Sequence, residues 1–130
     1  MSSVFSKIVS GEIPCFKVAE NDQFLAFLDV MPLKEGHVLV IPKIAVDYIF
    51  DMEDALLADM MIFSKSVAHK LKNVFPCKKI GVTVIGLEVP HAHIHLIPIN
   101  SLSDMDFSKP KLKLEESRLM EIAKLISEAV

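Results

Sequence analysis

The stretch "VPHAHIHLIPI", residues 89–99, sets His91, His93 and His95 on alternate positions with apolar residues between them. Successive side chains of an extended chain point to opposite faces. The three imidazoles therefore share one face, while Ala92, Ile94 and Leu96 line the other. Neighbouring histidines would stand ~6.5–7 Å apart at Cα. Such a strand needs two kinds of neighbour: a packed core behind it and a cleft in front. Chance enrichment is a poor explanation, because three imidazoles on one face repel one another once protonated.

Two chemistries fit that face. Two histidines at i and i+2 can bind zinc, but a catalytic zinc takes three protein ligands and a structural one four. Three alternate positions on one strand diverge from a single ion, so the missing ligands would have to come from His37, Glu88 or a cysteine. The other chemistry is displacement at phosphorus. A neutral imidazole is a competent nucleophile near neutral pH when an acceptor holds its far nitrogen. A second imidazole can hold phosphate oxygens or hand a proton to the leaving group.

Around this strand the chain reads as an α+β layout. "VFSKIVSGEIP" (4–14) has helical spacing at Val4, Phe5, Ile8 and Val9 and stops at Gly11 before Pro14. Strands are expected at 15–20 and 24–30, joined by the turn "ENDQ", and again at 37–43, bounded by Gly36 and Pro42. Residues 46–75 form the main helical region, with Leu56, Leu57, Met60, Met61, Phe63, Ser64, Val67, Ala68 and Leu71 at three- and four-residue steps. Ordinary core packing is the expected role of its methionines. A strand over 78–86 leads to the histidine strand, and a C-terminal helical tail, about 114–129, carries Leu119, Ile122, Ala123 and Ile126 on one stripe. The result is a mostly antiparallel five-stranded sheet with a long helix and a C-terminal helix.

Composition narrows the function classes. At 130 residues, one domain spanning 1–130 is expected, large enough for a real core. The net charge of −3, with scattered Lys and Arg, gives no electrostatic case for nucleic acid. No apolar run reaches membrane-spanning length, and the opening residues lack the pattern of a signal peptide. Cys15 and Cys77 stand far apart in no metal spacing, so they read as free thiols in a reducing, cytoplasmic compartment.

"HAHIHLI" matches the His-φ-His-φ-His-φ-φ signature, φ being apolar, and the chain resembles the histidine-triad (HIT) superfamily of nucleotide hydrolases and transferases. The segment "FSKIVSGEIPCFKVAENDQFLAFLDVMPLKEGHVLVIPK" looks independently like that family's opening, and the compact length resembles its Hint-like phosphoramidase branch. The resemblance implies a HIT-like fold whose sheet extends across a homodimer. It implies hydrolysis at the α-phosphate of a nucleoside phosphoramidate or similar purine mononucleotide derivative, through a nucleotidyl-histidine intermediate. His93 matches the nucleophile, His95 the phosphate contact, and His91 and His37 supporting histidines. Asp29, with Val30 beside it, matches the acceptor of the ribose hydroxyls. Val4, Phe5, Ile8 and Phe27 match the apolar positions around the purine, and Gly86, Leu87 and Glu88 fall in the nucleotide-binding approach to the triad.

Departures accompany the match. Some bacterial relatives bind zinc through a Cys-x-x-Cys near the start together with two histidines. Ser3 and Ser6 stand there here, so no metal or cofactor is expected, with His37 and His91 as remnants. Glu88 brings a carboxylate near the phosphate. The family's upstream Asn falls on Ile80 without a gap, or on Thr83 or Ile85 with one. A dinucleoside polyphosphate hydrolase and a nucleotide-binding protein with little turnover are the alternatives.

Overall fold

The computed structural model describes residues 3–130. Ser3 starts α1 (Val4–Ser10) with a capping box: its Oγ accepts the Ser6 N–H and the Ser6 Oγ accepts the Ser3 N–H. Gly11, at φ +85°, ends the helix as a left-handed cap. β1 (Lys17–Glu20) and β2 (Phe24–Leu28) form a hairpin whose turn is fixed by Asn21, its Oδ1 accepting the N–H of both Gln23 and Phe24. β3 (Val38–Pro42) pairs with β2, and β5 (Ile94–Ile99) lies between β3 and β4 (Lys79–Thr83). The sheet order is β1-β2-β3-β5-β4, antiparallel throughout.

Both faces of the sheet are covered, which is why β2 and β3 read as continuous apolar runs. On one face Phe24, Ala26, Leu28, Val38, Val40, Ile94 and Leu96 join the core under α2 (Asp54–Val74) and α3 (Glu116–Glu128). On the other, Leu25, Phe27, Leu39 and Ile41 pack with Phe5 of α1. This second cluster floors the histidine site. Among the described residues no helix is long and apolar enough to cross a membrane.

The start of the helical region, the burial of Met61 and the start of the histidine strand depart from expectation. The helical region begins at Asp54 rather than 46, because Tyr48 and Met52 are extended and enclose only a 3₁₀ turn at Ile49–Asp51. Ile49 and Met52 drop into the core while Tyr48 and Phe50 stay outside, a division a continuous helix could not make. Met61 is half exposed and faces away from buried Met60, so it is not core. The histidine strand also begins late, at Ile94. The β3–β5 register pairs Val40 with Ile94, so two further steps would set Pro42 against Ala92. Pro42 has no N–H to give. The Ala92 N–H instead donates to Val46 O, and the Pro42 carbonyl accepts from a histidine side chain.

Candidate active site

His91 and His93 therefore sit on the irregular approach to β5, and His95 sits within it, between Leu39 and Thr83 in register. All three are buried, and the ring centroids of His93 and His95 are 5.0 Å apart. Phe5 stands edge-on to His93 at 5.1 Å and to His91 at 6.1 Å. His37, at the entry to β3, joins them from across the sheet.

The hydrogen bonds assign the ring protons, since a backbone carbonyl can only accept and a backbone N–H can only donate. His93 Nδ1 lies 2.7 Å from the His91 carbonyl, so Nδ1 carries the proton and the Nε2 lone pair is free. His91 Nε2 donates to Pro42 O at 2.8 Å, leaving Nδ1 to face Ser3 Oγ at 3.4 Å. The Leu33 N–H donates to His37 Nδ1 at 3.0 Å, which places the His37 proton on Nε2. That proton is donated to His95 Nδ1 at 2.9 Å, so His95 carries its own on Nε2. The cluster presents one bare lone pair, on His93, beside one N–H donor, on His95.

Burial keeps the surrounding imidazoles neutral. It pushes His37 down to about 3, helped by His95, Lys111 and His93, and His95 down to about 4, helped by His93. Burial also lowers His91, against the opposing hydrogen bond to Pro42 O. Asp29, just after β2, is raised by burial and by Glu88. The Met31 N–H on its Oδ1, His93 and Lys111 act in the opposite direction. Its Oδ2 stands 3.6 Å from His37 Nε2.

The structure brings most of the expected site together. Phe5 and Phe27 pack edge to face at 5.5 Å, with Ile8 half-buried against their cluster and Val4 and Val30 exposed at its margin. Glu88 is exposed, with its charge felt at Asp29. Gly86 and Leu87 instead line an apolar groove on the helix side of the sheet, with Tyr48, Phe50 and Met61. Of the candidates for the upstream Asn, Thr83 pairs with His95 and so shares its face, whereas Ile85 is exposed. Sequence reasoning missed the Leu33 N–H and Phe107, whose ring lies 4.9 Å from that of His95. Neither carries a periodic or motif signal.

Two metal sites can be tested against these contacts. Ser3 and Ser6 spend their hydroxyls on the helix cap, and a hydroxyl is a poor substitute for a zinc thiolate. His37 faces His95 rather than these serines, so it is no remnant of such a site; His91 alone reaches Ser3. Asp29, His37 and His95 bring a carboxylate oxygen and two ring nitrogens within 4.8 Å of one another. A metal there would need the His37 Nε2 lone pair, yet the Leu33 N–H at Nδ1 requires that nitrogen to hold the proton. That set does not fit a metal.

Residues 10–102 match the HIT domain model. A HIT-like protein of Borreliella burgdorferi is 34% identical over 132 residues, covering 95% of each chain. The adenosine 5'-monophosphoramidase HNT1 of Saccharomyces cerevisiae is 38% identical over 96 residues, spanning 73% of this chain and 61% of that relative. Among solved structures, a HIT-like protein of Bartonella henselae superposes with a TM-score of 0.86 at 29% identity, covering 99% of this chain and 96% of that one.

Proposed function

The chain belongs to the HIT domain family, which includes hydrolases such as the adenosine 5'-monophosphoramidases. From that premise we propose that it binds a purine nucleotide and hydrolyses nucleoside phosphoramidates, or similar mononucleotide derivatives, at the α-phosphate. The observation that carries this reading is the pair of opposite functions on adjacent rings: a free Nε2 on His93 and an Nε2–H on His95.

His93 Nε2 attacks the α-phosphorus. The new N–P bond forms as the bond to the leaving amine breaks, and the leaving nitrogen takes a proton from solvent. As imidazole gives up its lone pair its ring becomes cationic, and the Nδ1–H bond to the His91 carbonyl strengthens. Water then attacks the same phosphorus, the His–P bond breaks, and nucleoside monophosphate leaves with His93 restored. His95 Nε2–H donates a hydrogen bond to the phosphoryl oxygens, where charge builds in the transition state. Asp29 accepts from the ribose hydroxyls, and Phe5, Ile8 and Phe27 supply the apolar slot for the base. No step uses a metal.

The test is turnover of a fluorogenic adenosine phosphoramidate by wild type and His93→Ala. Loss of about 10³-fold or more in kcat is expected, as for removal of other enzymic nucleophiles, together with an adenylated His93 trapped in wild type. Unchanged turnover in the variant would remove His93 from the mechanism. Absence of turnover in wild type would leave a nucleotide-binding protein.

We also infer a homodimer. β4 is an edge strand carrying exposed Val82, followed by exposed Val84 and Ile85. The adjoining groove of about 780 Å³, lined by Tyr48, Phe50, Leu57, Met61 and Leu87, continues the apolar surface onto α2. A second copy paired at β4 would extend the sheet and cover both. The unpaired thiols of Cys15 and Cys77 fit a cytoplasmic setting.

A further inference from the structure

A turn in the β5–α3 segment delivers one aromatic ring to the histidine cluster. The Lys109 N–H donates to Asp106 O at 3.2 Å, closing 106–109. Asp106 Oδ1 accepts the N–H and O–H of Ser108 at 2.9 and 2.6 Å, and the Phe107 carbonyl accepts from Lys111 Nζ at 2.5 Å. On either side the segment is fastened to the loop that joins Asp29 to His37. Lys34 pairs with Asp104 at 2.9 Å, the Leu112 N–H donates to Pro32 O at 2.8 Å, and Arg118 of α3 holds Glu35 with bonds of 2.7 and 2.8 Å. What these ties hold in place is the half-buried Phe107 ring.

That ring meets both partners of one hydrogen bond. Its centroid lies 4.9 Å from that of His95 and 6.1 Å from that of His37, edge-on to each. Between the two imidazoles runs the 2.9 Å bond from His37 Nε2–H to His95 Nδ1, the last link of a chain that starts at the Leu33 N–H. The chain keeps its direction while nothing else competes for His95 Nδ1. A water molecule can both donate and accept. One that accepted there would draw the His95 proton onto Nδ1 and leave a lone pair on Nε2, facing the phosphate. An aromatic ring has no such group, and it occupies the space the water would need. Leu39 and Thr83 flank His95 from β3 and β4, and His93 adjoins it at 5.0 Å. The titratable groups facing it are His37, His93 and Asp29, whose carboxylate stands within 4.8 Å of a ring nitrogen of His95. Lys111 lies on the Phe107 ring, its Nζ 5.8 Å from the centroid. Burial pushes His95 down to about 4, and Phe107 contributes to that burial.

We propose that Phe107 is a positioning residue for phosphate binding: clamped against the His37–His95 pair, it keeps water off His95 Nδ1 and so holds the His95 Nε2–H ready for the phosphoryl oxygens. The proposal rests on the nucleotide reading of the site for what His95 meets. The exclusion of water belongs to the free protein and is read there.

Long-range ¹H–¹⁵N spectra of ¹⁵N-histidine Phe107→Ala are expected to show His95 exchanging between tautomers and titrating nearer the ordinary imidazole range, above its wild-type value of about 4. His91, bonded to Pro42 O, should keep its wild-type signals and so report an intact fold. Phe107→Leu, smaller but equally without polar atoms, should restore the wild-type His95 pattern. With a fluorogenic adenosine phosphoramidate, Phe107→Ala should lose about tenfold in kcat, less than the ~10²–10³ that follows outright removal of such a donor. Phe107→Leu should recover most of that loss. A wild-type His95 spectrum in Phe107→Ala would overturn the proposal, as would equal kcat losses in the Ala and Leu variants. If wild type turns over no phosphoramidate, the reaction assigned to the site fails, and the His95 spectra alone decide whether Phe107 shields the bond.

Discussion

Three backbone groups set the proton positions of four imidazoles. The carbonyls of His91 and Pro42 each demand a proton from the ring nitrogen they face, and the Leu33 N–H denies one to His37 Nδ1. The expected outcome in long-range ¹H–¹⁵N spectra of ¹⁵N-histidine protein is Nδ1–H at His93 and Nε2–H at His37, His91 and His95. An Nε2–H tautomer at His93 would leave no lone pair for attack and would end its assignment as nucleophile. As pH falls through the ordinary imidazole range, His37 and His95 should stay neutral, since their folded values are about 3 and about 4. The unfolded chain, titrating near 6.5, binds more protons across that window, so stability is full above it and declines as pH drops toward those values. The histidine spacing was legible in the sequence because it is local. The tautomers were not, because Leu33 and Pro42 meet these rings only after the sheet has closed.

At the level of elements, the two glycines that flank functional segments separate backbone from packing. Gly11 ends α1 at φ +85° with open space where a Cβ would stand, nothing lying within 4 Å of that point. Gly36, at φ +89°, would instead place a Cβ 2.6 Å from the Phe75 ring. Gly11→Ala should therefore lower unfolding free energy by only the left-handed penalty, about 1–2 kcal/mol. Gly36→Ala adds displacement of an aromatic ring at the end of α2, and about 3 kcal/mol in total is expected. Denaturant titrations of both variants check this, and equal losses would mean that the Phe75 contact is slack. Gly36 also adjoins His37, so its variant should lose activity beyond its loss of stability. Sequence periodicity located every strand but overran the ends of β1, β2, β4 and β5 by two or more residues. Apolar pattern does not record where a partner strand runs out of N–H groups, as β3 does at Pro42.

Across the whole molecule, the sequence shows which residues are apolar but not what covers them. Along α2, Met60, Phe63, Val67 and Leu71 are buried beneath the sheet, yet Met61 and Ile62 are equally apolar and face outward. Met61 lines one groove with Tyr48, Phe50 and Ile85, and Val82 is exposed on the unpaired strand edge. An isolated chain with such an edge is prone to uncontrolled pairing. The proposed two-fold partner would answer both features, because antiparallel β4–β4 pairing would satisfy the edge while the two copies of α2 covered each other's groove. Sedimentation equilibrium of wild type should return twice the 14.5 kDa chain mass. A Val82→Lys, Ile85→Lys double variant places two cations in the seam. It should sediment as a monomer with its circular dichroism retained, because both positions are exposed within the single chain. The histidine cluster is built on the opposite face of the sheet from the groove, so the monomer should keep the ring tautomers while losing the seam. A wild-type chain that stays monomeric at high concentration would reject the dimer and leave the groove open to a different partner.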